Sequence, residues 1–456
     1  MAALRIAYIA AGAGGMYCGN CLHDNTLAAA MIAAGHDVAL IPTYTPIKTD
    51  EKDVSLRRVF MGGVNVYLGQ TSPWLGRLPK WIRRLLDSPS LLRFATSFGI
   101  SMKAEKLGPL AVSVLKGEHG NQVAEMVDLA DFLADEIKPD VVHLSNCMIA
   151  GLAGPIRRKL NVPILSTLSG EDLFLQMLSE PFTTQAKTAL REAVSTLDGF
   201  VAMNRYYADA MVDLLQVDAA KMHVIPHGLN LSGFSPRPPR PADAPFTIGY
   251  LGRISPEKGV ALLAEAFCRL TTFDAMPPLK LRIAGYLAPS DKPYLHKIES
   301  TLRHAKLLDH FEHVGEVDHR GKLDFLHSLD LLSMPTTYPE SKGLPVLEAL
   351  ACGVPVVAAR HGAFPELLAD HPGGLLCEPN NVDSLAASLA RFGRDRAYAE
   401  QLGAIGRAAI LESSSAPVMA ARTIALYERL LAERAAASAG AAISEATPLA
   451  TAGPAA

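Results

Sequence analysis

Residues 339–357 read PESKGLPVLEALACGVPVV, with Glu340 and Glu348 eight positions apart. Gly343 allows the backbone to turn closely around a ligand, and Pro345 suits the first turn of a helix that the following residues can continue. The unpaired N–H groups and the dipole of a helix start favour phosphate, whereas carboxylates accept hydrogen bonds from neutral hydroxyls. The segment therefore predicts a ligand with both phosphate and hydroxyl groups, such as a sugar nucleotide. An ordinary amphipathic helix is the alternative interpretation.

A second segment, TIGYLGRISPEKGV at residues 247–260, reads as a buried strand, a turn at Gly252 and the start of a helix. Arg253 and Lys258 would flank that turn. Arg offers phosphate oxygens a planar fork and Lys a mobile point charge, so together they can neutralise a departing diphosphate. Taken singly, each is more often a solvated surface charge.

A resemblance joins these segments to two others, LRIAG at 281–285 and VIPHGLN at 224–230. Together they resemble the retaining glycosyltransferases of family 4, in order and spacing across roughly residues 220 to 400, whereas the amino-terminal half matches only loosely. The resemblance implies an α/β protein of the GT-B type, with two Rossmann-like doubly wound domains facing each other across a cleft. It also implies transfer of a sugar from a nucleotide-diphosphate sugar to an acceptor, with retention of the anomeric configuration.

The resemblance further implies residue roles. Glu340 would hold a hydroxyl of the donor sugar and Glu348 the nucleotide ribose, while Arg253 and Lys258 would stabilise charge on the leaving phosphate. The remaining implied donor contacts are small or backbone-contributing positions: Gly252, Gly285, Gly343, Leu344, and Gly14 and Gly15 of a glycine-rich loop. Lys342 departs from the family pattern, in which an aromatic residue is commoner, so the identity of the donor sugar stays open.

The glycine-rich loop lies in AGAGGMYCGNCLHD at residues 11–24. Its glycines allow close approach of a phosphate or sugar, although a plain tight turn has the same composition. Cys18 and Cys21 form a Cys-x-x-Cys at a predicted helix start, which raises a redox function or, with His23 and Asp24, a metal site. The sequence holds no second Cys-x-x-Cys, so two small residues lining a crowded loop are the plainer interpretation.

Three residues are predicted on the acceptor side. His143 lies near the end of a strand candidate and, by resemblance, would face the cleft as a catalytic group; a structurally satisfied histidine is the alternative. Glu171 and Asp172 follow the next strand candidate, in the run Ser169-Gly-Glu-Asp. They are predicted to face the acceptor, or else to cap the helix that follows.

The composition limits the classes of function. The chain has 456 residues, 49% of them hydrophobic, which is enough for two domains with separate cores. The formal charge of −3 gives no global reason to expect nucleic acid, and no run of about 18 apolar residues predicts a spanning helix. Arg5 interrupts the first apolar run, unlike a signal peptide, and six cysteines are too sparse for a disulfide scaffold. Cytoplasm is the expected compartment.

Metal and cofactor use can also be predicted. The sequence contains no Asp-x-Asp, the motif with which many sugar-nucleotide enzymes hold a divalent cation. The cationic side chains and the helix start near Gly343 could supply that charge instead. We therefore expect no metal and no cofactor, with the nucleotide sugar as co-substrate.

Alternating strand and helix patterns predict the domain organisation. The strand candidates are residues 5–10, 37–42, 141–144, 164–167, 199–203 and 223–225, then 247–251, 280–284, 311–314, 331–334, 355–358 and 374–377. We expect an amino-terminal acceptor-side domain over residues 1–234, a proline-rich linker over 235–245 and a nucleotide-sugar-binding domain over 246–415. The resemblance implies that the helix predicted over residues 416–434 returns to the first domain, and the composition of residues 435–456 predicts a disordered tail.

A basic amphipathic segment points to the acceptor. Residues 72–93 contain both tryptophans, and Leu78, Trp81, Ile82 and Leu85 recur at helical spacing. Such a segment favours peripheral contact of residues 74–93 with an anionic bilayer at the inner face of the cell membrane. The resemblance implies a lipid-linked or other glycan acceptor, because related enzymes often use lipid-linked ones. A helical insertion packed on its own domain is the alternative.

Two other functions fit the same motifs. A GT-B-type epimerase would act on a nucleotide sugar without an acceptor, and a catalytically silent module would only bind the nucleotide sugar. Donor incubated without acceptor distinguishes all three.

Overall fold

The computed structural model describes residues 3–12, 19–62, 104–241 and 243–446. Within these ranges the chain forms two six-stranded parallel sheets flanked by helices. We call the parts before and after the proline-rich segment, residues 235–245, the amino-terminal and carboxyl-terminal lobes. The predicted domain limits themselves stay predictions.

The first sheet has the strand order β2-β1-β3-β4-β5-β6. Its strands are β1 Arg5–Ala11, β2 Asp37–Thr43, β3 Val141–Leu144, β4 Ile164–Thr167, β5 Gly199–Ala202 and β6 Met222–Val224. The helices of this lobe are α1 Gly19–Ala33, α2 Ala104–Leu115, α3 Val123–Phe132, α4 Ala153–Lys159, α5 Glu171–Met177, α6 Phe182–Val194 and α7 Arg205–Leu215. Short 3-10 turns at 117–119, 147–152 and 219–221, and a π turn at 133–137, complete it.

The second sheet has the order β12-β11-β10-β7-β8-β9. Its strands are β7 Phe246–Leu251, β8 Leu279–Ala284, β9 Phe311–Gly315, β10 Leu331–Met334, β11 Val356–Ala359 and β12 Gly374–Cys377. Its helices are α8 Val260–Leu270, α9 Lys292–His304, α10 His319–His327, α11 Leu344–Ala351, α12 Phe364–Asp370, α13 Val382–Arg394 and α14 Arg396–Ser413, followed by α15 Ala416–Ala446. Short 3-10 turns occur at 256–258, 289–291 and 308–310.

Each predicted strand is present, with its ends within one residue of the prediction. Most strands are buried on both faces, as all-parallel sheets with crossover helices require, whereas β6 and β9 at the sheet edges are only partly buried. In β1, Ala7 and Ile9 enter one core cluster, whereas Ile6 and Tyr8 enter the cluster on the opposite face. Because such strands are continuous apolar runs between turn residues, they are among the easiest elements to predict.

The described residues of the proline-rich segment, 235–241 and 243–245, form neither helix nor strand, as its five prolines predict. It is nevertheless fixed to the carboxyl-terminal lobe, since Arg237 pairs with the buried Asp330 at 3.2 Å. The ion pair holds the lobe connection close to the start of β10.

The last helix, α15, packs on the amino-terminal lobe, where Met419 and Tyr427 enter the core cluster that contains Tyr8. The sequence predicted disorder from Ala435, but the helix continues to Ala446. Alanine has the highest helix propensity, which explains why the alanine-rich segment extends the helix. Residues 447–456 lie outside the described residues. None of the described helices is both long enough and apolar enough to cross a membrane.

Candidate active site

The cleft lies at the carboxyl ends of the strands of the second sheet, where open α/β sheets bind their ligands. Gly252 directly follows β7, and Gly285 directly follows β8. The amide of Gly252 donates to Ala284 O at 3.0 Å, and that of Gly285 donates to Gly315 O at 2.8 Å. The structure therefore brings two predicted donor positions, Gly252 and Gly285, to adjacent places on this edge.

The start of helix α11 forms a second wall of the cleft. Gly343 has φ +71°, a conformation that strains any residue with a side chain, and a β-carbon there would lie 2.3 Å from Leu367 Cδ1. Its carbonyl accepts from Val346 N at 2.9 Å, which closes the first helical turn. The amide groups of Leu344 and its neighbours thus lie at a helix start, the positive end of the helix dipole.

Glu340 lies just before this helix and makes two short contacts. Its Oε2 accepts from Lys258 Nζ and from Tyr338 Oη, both at 2.7 Å, and Lys258 Nζ also donates to Tyr338 Oη at 2.6 Å. Glu340 is only 8% exposed. Two residues predicted from separate segments, Glu340 and Lys258, are therefore in direct contact, and Tyr338 is an addition that the sequence analysis missed.

These contacts determine the charge state of Glu340. Burial raises the pKa of the carboxyl group, but the ammonium of Lys258 and the two hydrogen bonds outweigh it, so the pKa is lowered overall. Burial and the adjacent Glu340 charge raise the pKa of Tyr338. At neutral pH the site therefore holds a carboxylate, and Tyr338 is a neutral hydrogen-bond donor.

Arg253 lies at the outer edge of the same site. Its side chain is about half exposed and pairs with Glu257, four residues along the chain. The hydroxyl of Tyr250 donates to Arg253 O at 2.7 Å, which fixes the backbone of the turn. The guanidinium is thus placed on the solvent side of the cleft, where an incoming ligand can displace its weak surface partner.

Glu348 faces the interior of the interface between the lobes. Its Oε1 lies 2.6 Å from Lys322 Nζ, and the same ammonium lies 2.7 Å from Asp50 Oδ2 of the amino-terminal lobe. Burial raises the pKa of Glu348, and Lys322 opposes this rise. The sequence analysis did not single out Lys322 or Asp50. Lys322 lies three and four residues before Phe325 and Leu326, and this helical spacing was the sequence signal that could have indicated its burial.

Two helix starts meet across the cleft. A β-carbon on Gly19, the first residue of α1, would lie 3.9 Å from Leu344 Cδ2, at the start of α11. Lys342 Nζ donates to Asn20 Oδ1, so the lobes are also joined by a hydrogen bond at this point. Gly14 and Gly15 lie outside the described residues.

The lobes make further contacts around the segment that carries Glu340. Asn204 Nδ2 donates to Ser341 O at 2.7 Å. The amides of Arg205 and Tyr206, at the start of α7, donate to the carboxylate of Glu366 at 2.9 and 3.1 Å. The amino-terminal lobe therefore touches the residues next to Glu340 directly.

His143 does not face the cleft, contrary to the prediction. It has no exposed surface, and its two ring nitrogens contact Tyr427 Oη at 2.5 Å and Thr167 Oγ1 at 2.8 Å. Burial lowers its pKa to about 3, so the ring is neutral. A strand-end histidine can point into either face of the sheet, and here helix α15 covers the side chain. The alternative prediction, a structurally satisfied histidine, describes this position.

Glu171 and Asp172 also have internal partners. Glu171 is 2% exposed, and its carboxylate accepts from Ser169 N at 2.6 Å and Cys147 N at 3.3 Å. The hydroxyl of Tyr207 lies 3.0 Å from Glu171 Oε2 and 2.8 Å from Asp172 Oδ1. Glu171 therefore fixes the backbone of its own loop from within, whereas Asp172 is only half-buried.

A pair of buried histidines was not foreseen as a pair. His23 Nδ1 and His227 Nδ1 lie 2.9 Å apart. Burial, and then the charge of Lys342, lowers the pKa of His227 to about 3. Among the described residues no group of three His, Cys, Asp or Glu side chains could hold a metal ion. Cys18 lies outside those residues, so the redox interpretation stays an untested hypothesis.

Comparisons with known proteins agree with this architecture. The family described as Glycosyltransferase Family 4 matches residues 109–232, and the family described as Glycosyl transferases group 1 matches residues 234–409. The two matches together span well over half of the chain. They meet at the start of the proline-rich segment, so each corresponds to one lobe.

Individual proteins are similar at moderate identity. The glycogen synthase of Mycobacterium tuberculosis is 27% identical over 292 residues, which cover 64% of this chain and 69% of that protein. Sucrose-phosphate synthase from Thermosynechococcus elongatus has a similar fold, with a TM-score of 0.68 and 21% identity over 94% of this chain and 100% of that one. Anabaena HepE, solved in complex with UDP, also has a similar fold, with a TM-score of 0.63 and 16% identity over 93% of this chain and 100% of that one.

Two facing Rossmann-like lobes with a cleft at their strand ends define a protein of the GT-B class. The chain belongs to glycosyltransferase family 4, the retaining enzymes of that fold. It is a glycosyltransferase that uses a nucleotide-sugar donor, and its acceptor is unidentified.

Proposed function

We propose that the carboxyl-terminal lobe binds a uridine diphosphate sugar. The contact of Lys258 with Glu340, beside the start of α11, carries this proposal. Lys258, Arg253 and the amides at Gly343 and Leu344 provide positive charge for a diphosphate. The choice of uridine is supported by the structural likeness to the Anabaena protein solved with UDP.

The two glutamates hold the polar ends of the donor. Glu340, kept ionised by Lys258, accepts a hydrogen bond from a hydroxyl of the sugar. Glu348 accepts from the nucleotide ribose. Carboxylates repel phosphate, so the diphosphate lies between them at the helix start, with the hydroxyl-rich ends directed toward the glutamates.

The transfer step follows from this placement. The bond between the anomeric carbon and the phosphate oxygen breaks, and the acceptor oxygen bonds to the same face of that carbon. The acceptor proton passes to the leaving phosphate oxygen. Negative charge grows on the diphosphate as the bond breaks, and the cations and amides around it stabilise that charge more strongly than in the ground state. No metal ion takes part in this scheme.

A thermal-shift screen against UDP-, GDP- and ADP-sugars tests the donor assignment. We expect the largest rise in melting temperature with a UDP-sugar. The selected donor is then incubated without acceptor. A transferase releases nucleotide slowly by hydrolysis, an epimerase interconverts the sugar, and a binding module does neither.

The acceptor that we propose is a glycan, either soluble or lipid-linked, reached from the cytoplasmic side. This proposal depends on residues 74–93, which lie outside the described residues. Co-sedimentation with anionic liposomes, compared with a Trp81→Glu, Arg83→Glu double variant, tests it. Equal sedimentation of the wild-type protein and the double variant would refute the proposed membrane contact.

A further inference from the structure

One buried lysine joins the two lobes. Lys322 is 8% exposed, and its ammonium lies 2.6 Å from Glu348 Oε1 and 2.7 Å from Asp50 Oδ2. Lys322 and Glu348 come from helices α10 and α11 of the carboxyl-terminal lobe. Asp50 comes from the amino-terminal lobe, seven residues after the end of β2. The bridge therefore depends on the relative position of the two lobes.

A buried ammonium is costly unless opposite charges compensate it. Burial lowers the pKa of Lys322, but Glu348 and Asp50 outweigh that effect, so the pKa is raised and the group stays charged. Burial also disfavours the charged form of Asp50 and so raises its pKa, but His319 and Lys322 outweigh this effect, and the pKa of Asp50 is lowered overall. The three groups form a charged unit in which each depends on the other two.

We propose that Lys322 is a positioning residue for nucleotide binding, which orients Glu348 through Oε1 and links that orientation to Asp50 of the opposite lobe. Glu348 Oε2 is then directed to the ribose hydroxyls. The inference rests on the proposed function, in which Glu348 holds the ribose. It follows that Asp50 contributes to nucleotide affinity without touching the nucleotide, and that lobe closure and donor binding favour each other.

The charges around Glu348 give the bridge a pH signature. Lys322 and His319 lower the pKa of Glu348, whereas Asp50 raises it. The thiol of Cys352, on the same helix as Glu348, has its own pKa raised to about 12 by burial and is neutral. Loss of the Lys322 charge therefore raises the pKa of Glu348, and loss of the Asp50 charge lowers it. A purely structural role of the bridge would not produce shifts of opposite sign.

Isothermal titration calorimetry with UDP, GDP and ADP as probes tests the inference over a range of pH. Lys322→Met should weaken the best-binding nucleotide about tenfold or more, because a charge-assisted hydrogen bond is lost. Lys322→Arg should restore part of the affinity. Asp50→Asn should weaken binding about fivefold, the low end of typical coupling between sites. The pH below which nucleotide affinity falls should be higher than in the wild type for Lys322→Met only.

Lys48→Met is the matched control. Lys48 lies 4.0 Å from Glu316 in an exposed ion pair that also joins the lobes, so its loss should leave affinity within about twofold. Melting curves confirm that each variant folds. Should Lys322→Met fail to fold, Lys322→Arg and Asp50→Asn decide the result.

Three outcomes overturn the inference. Wild-type nucleotide affinity in Lys322→Met would refute the positioning role of Lys322 and leave the proposed function intact. Where Lys322→Met does not fold, wild-type affinity in Asp50→Asn would refute it in the same way. An equal loss of nucleotide affinity in the Lys48→Met control would also refute the positioning role of Lys322. If the wild-type protein binds none of the three nucleotides, the proposed function fails, and the inference fails with it.

Discussion

Glu340 Oε2 lies 2.7 Å from both Lys258 Nζ and Tyr338 Oη, so one carboxylate oxygen joins two loops of the carboxyl-terminal lobe. Lys258 ends the short turn after β7, and Glu340 precedes helix α11. A ligand that enters the cleft meets a preorganised anion and cation side by side. This arrangement costs no reorganisation during the reaction, which is the condition for strong electrostatic stabilisation.

Replacement of Glu340 should nearly abolish turnover. We expect Glu340→Ala to lower kcat by roughly 10² to 10³ because a preorganised polar contact to the transition state is lost. Nucleotide release in the presence of acceptor measures this. Glu378→Gln, which removes an exposed partner of Arg360, is the control and should retain wild-type turnover. Near-wild-type kcat in Glu340→Ala would refute the assignment.

Replacement of Tyr338 should change the pH dependence. The pKa of Glu340 is lowered in part by the Tyr338 hydrogen bond, so Tyr338→Phe raises that pKa. Since the ionised carboxylate is the active form, the acid limb of kcat/KM should move to higher pH. A limb that stays in place or moves to lower pH contradicts the proposed role. Tyr398→Phe, which removes the hydroxyl group from a ring stacked on Phe392, serves as control.

Gly362 supports Glu340 from the next loop. A β-carbon on Gly362 would lie 2.4 Å from both the backbone N and O of Glu340, and its φ is +61°. Gly362→Ala should therefore displace Glu340 and reduce kcat much more than it lowers the melting temperature. Gly35→Ala is the matched control, because Gly35 also has positive φ but open space around it. It should lose about 1 kcal/mol of stability and no activity. Equal kcat in the Gly362→Ala and Gly35→Ala variants would show that Gly362 does not support the active position of Glu340.

His143 should affect stability rather than catalysis. Its pKa falls from 6.5 to about 3 on burial, so below pH 6.5 the unfolded chain binds a proton that the folded chain does not. Its contribution to stability is therefore lost as the pH falls from 6.5 toward 3. We expect His143→Gln to melt lower at pH 7, to show a shallower fall with pH, and to retain kcat/KM. Loss of kcat/KM in a folded His143→Gln would return His143 to the catalytic set.

Chelation should not affect the reaction. In the proposed scheme Arg253, Lys258 and the amides at the start of α11 provide the positive charge for the diphosphate. Turnover should therefore be unchanged in EDTA. A loss that Mg²⁺ or Mn²⁺ restores would show that the site needs a cation.

The sequence predicted the strands well because most are apolar runs. Short motifs singled out Glu340 and Lys258, which the structure brings into contact, and their roles stay predictions. The sequence prediction was wrong about His143, since strand position alone does not determine which face a side chain occupies once a distant helix packs there. Asp50, Lys322 and Glu348 come from three separate parts of the chain. Their contact depends on how the lobes meet, and only the local spacing of each residue can be read from the sequence.

The most direct test of the account is a crystal structure with the nucleotide sugar that the thermal-shift screen selects. The account predicts the diphosphate at the Gly343 and Leu344 amides, within reach of Arg253 and Lys258. Glu340 should contact a sugar hydroxyl, and Glu348 the ribose. A diphosphate bound elsewhere, or glutamates directed away from the ligand, would contradict it.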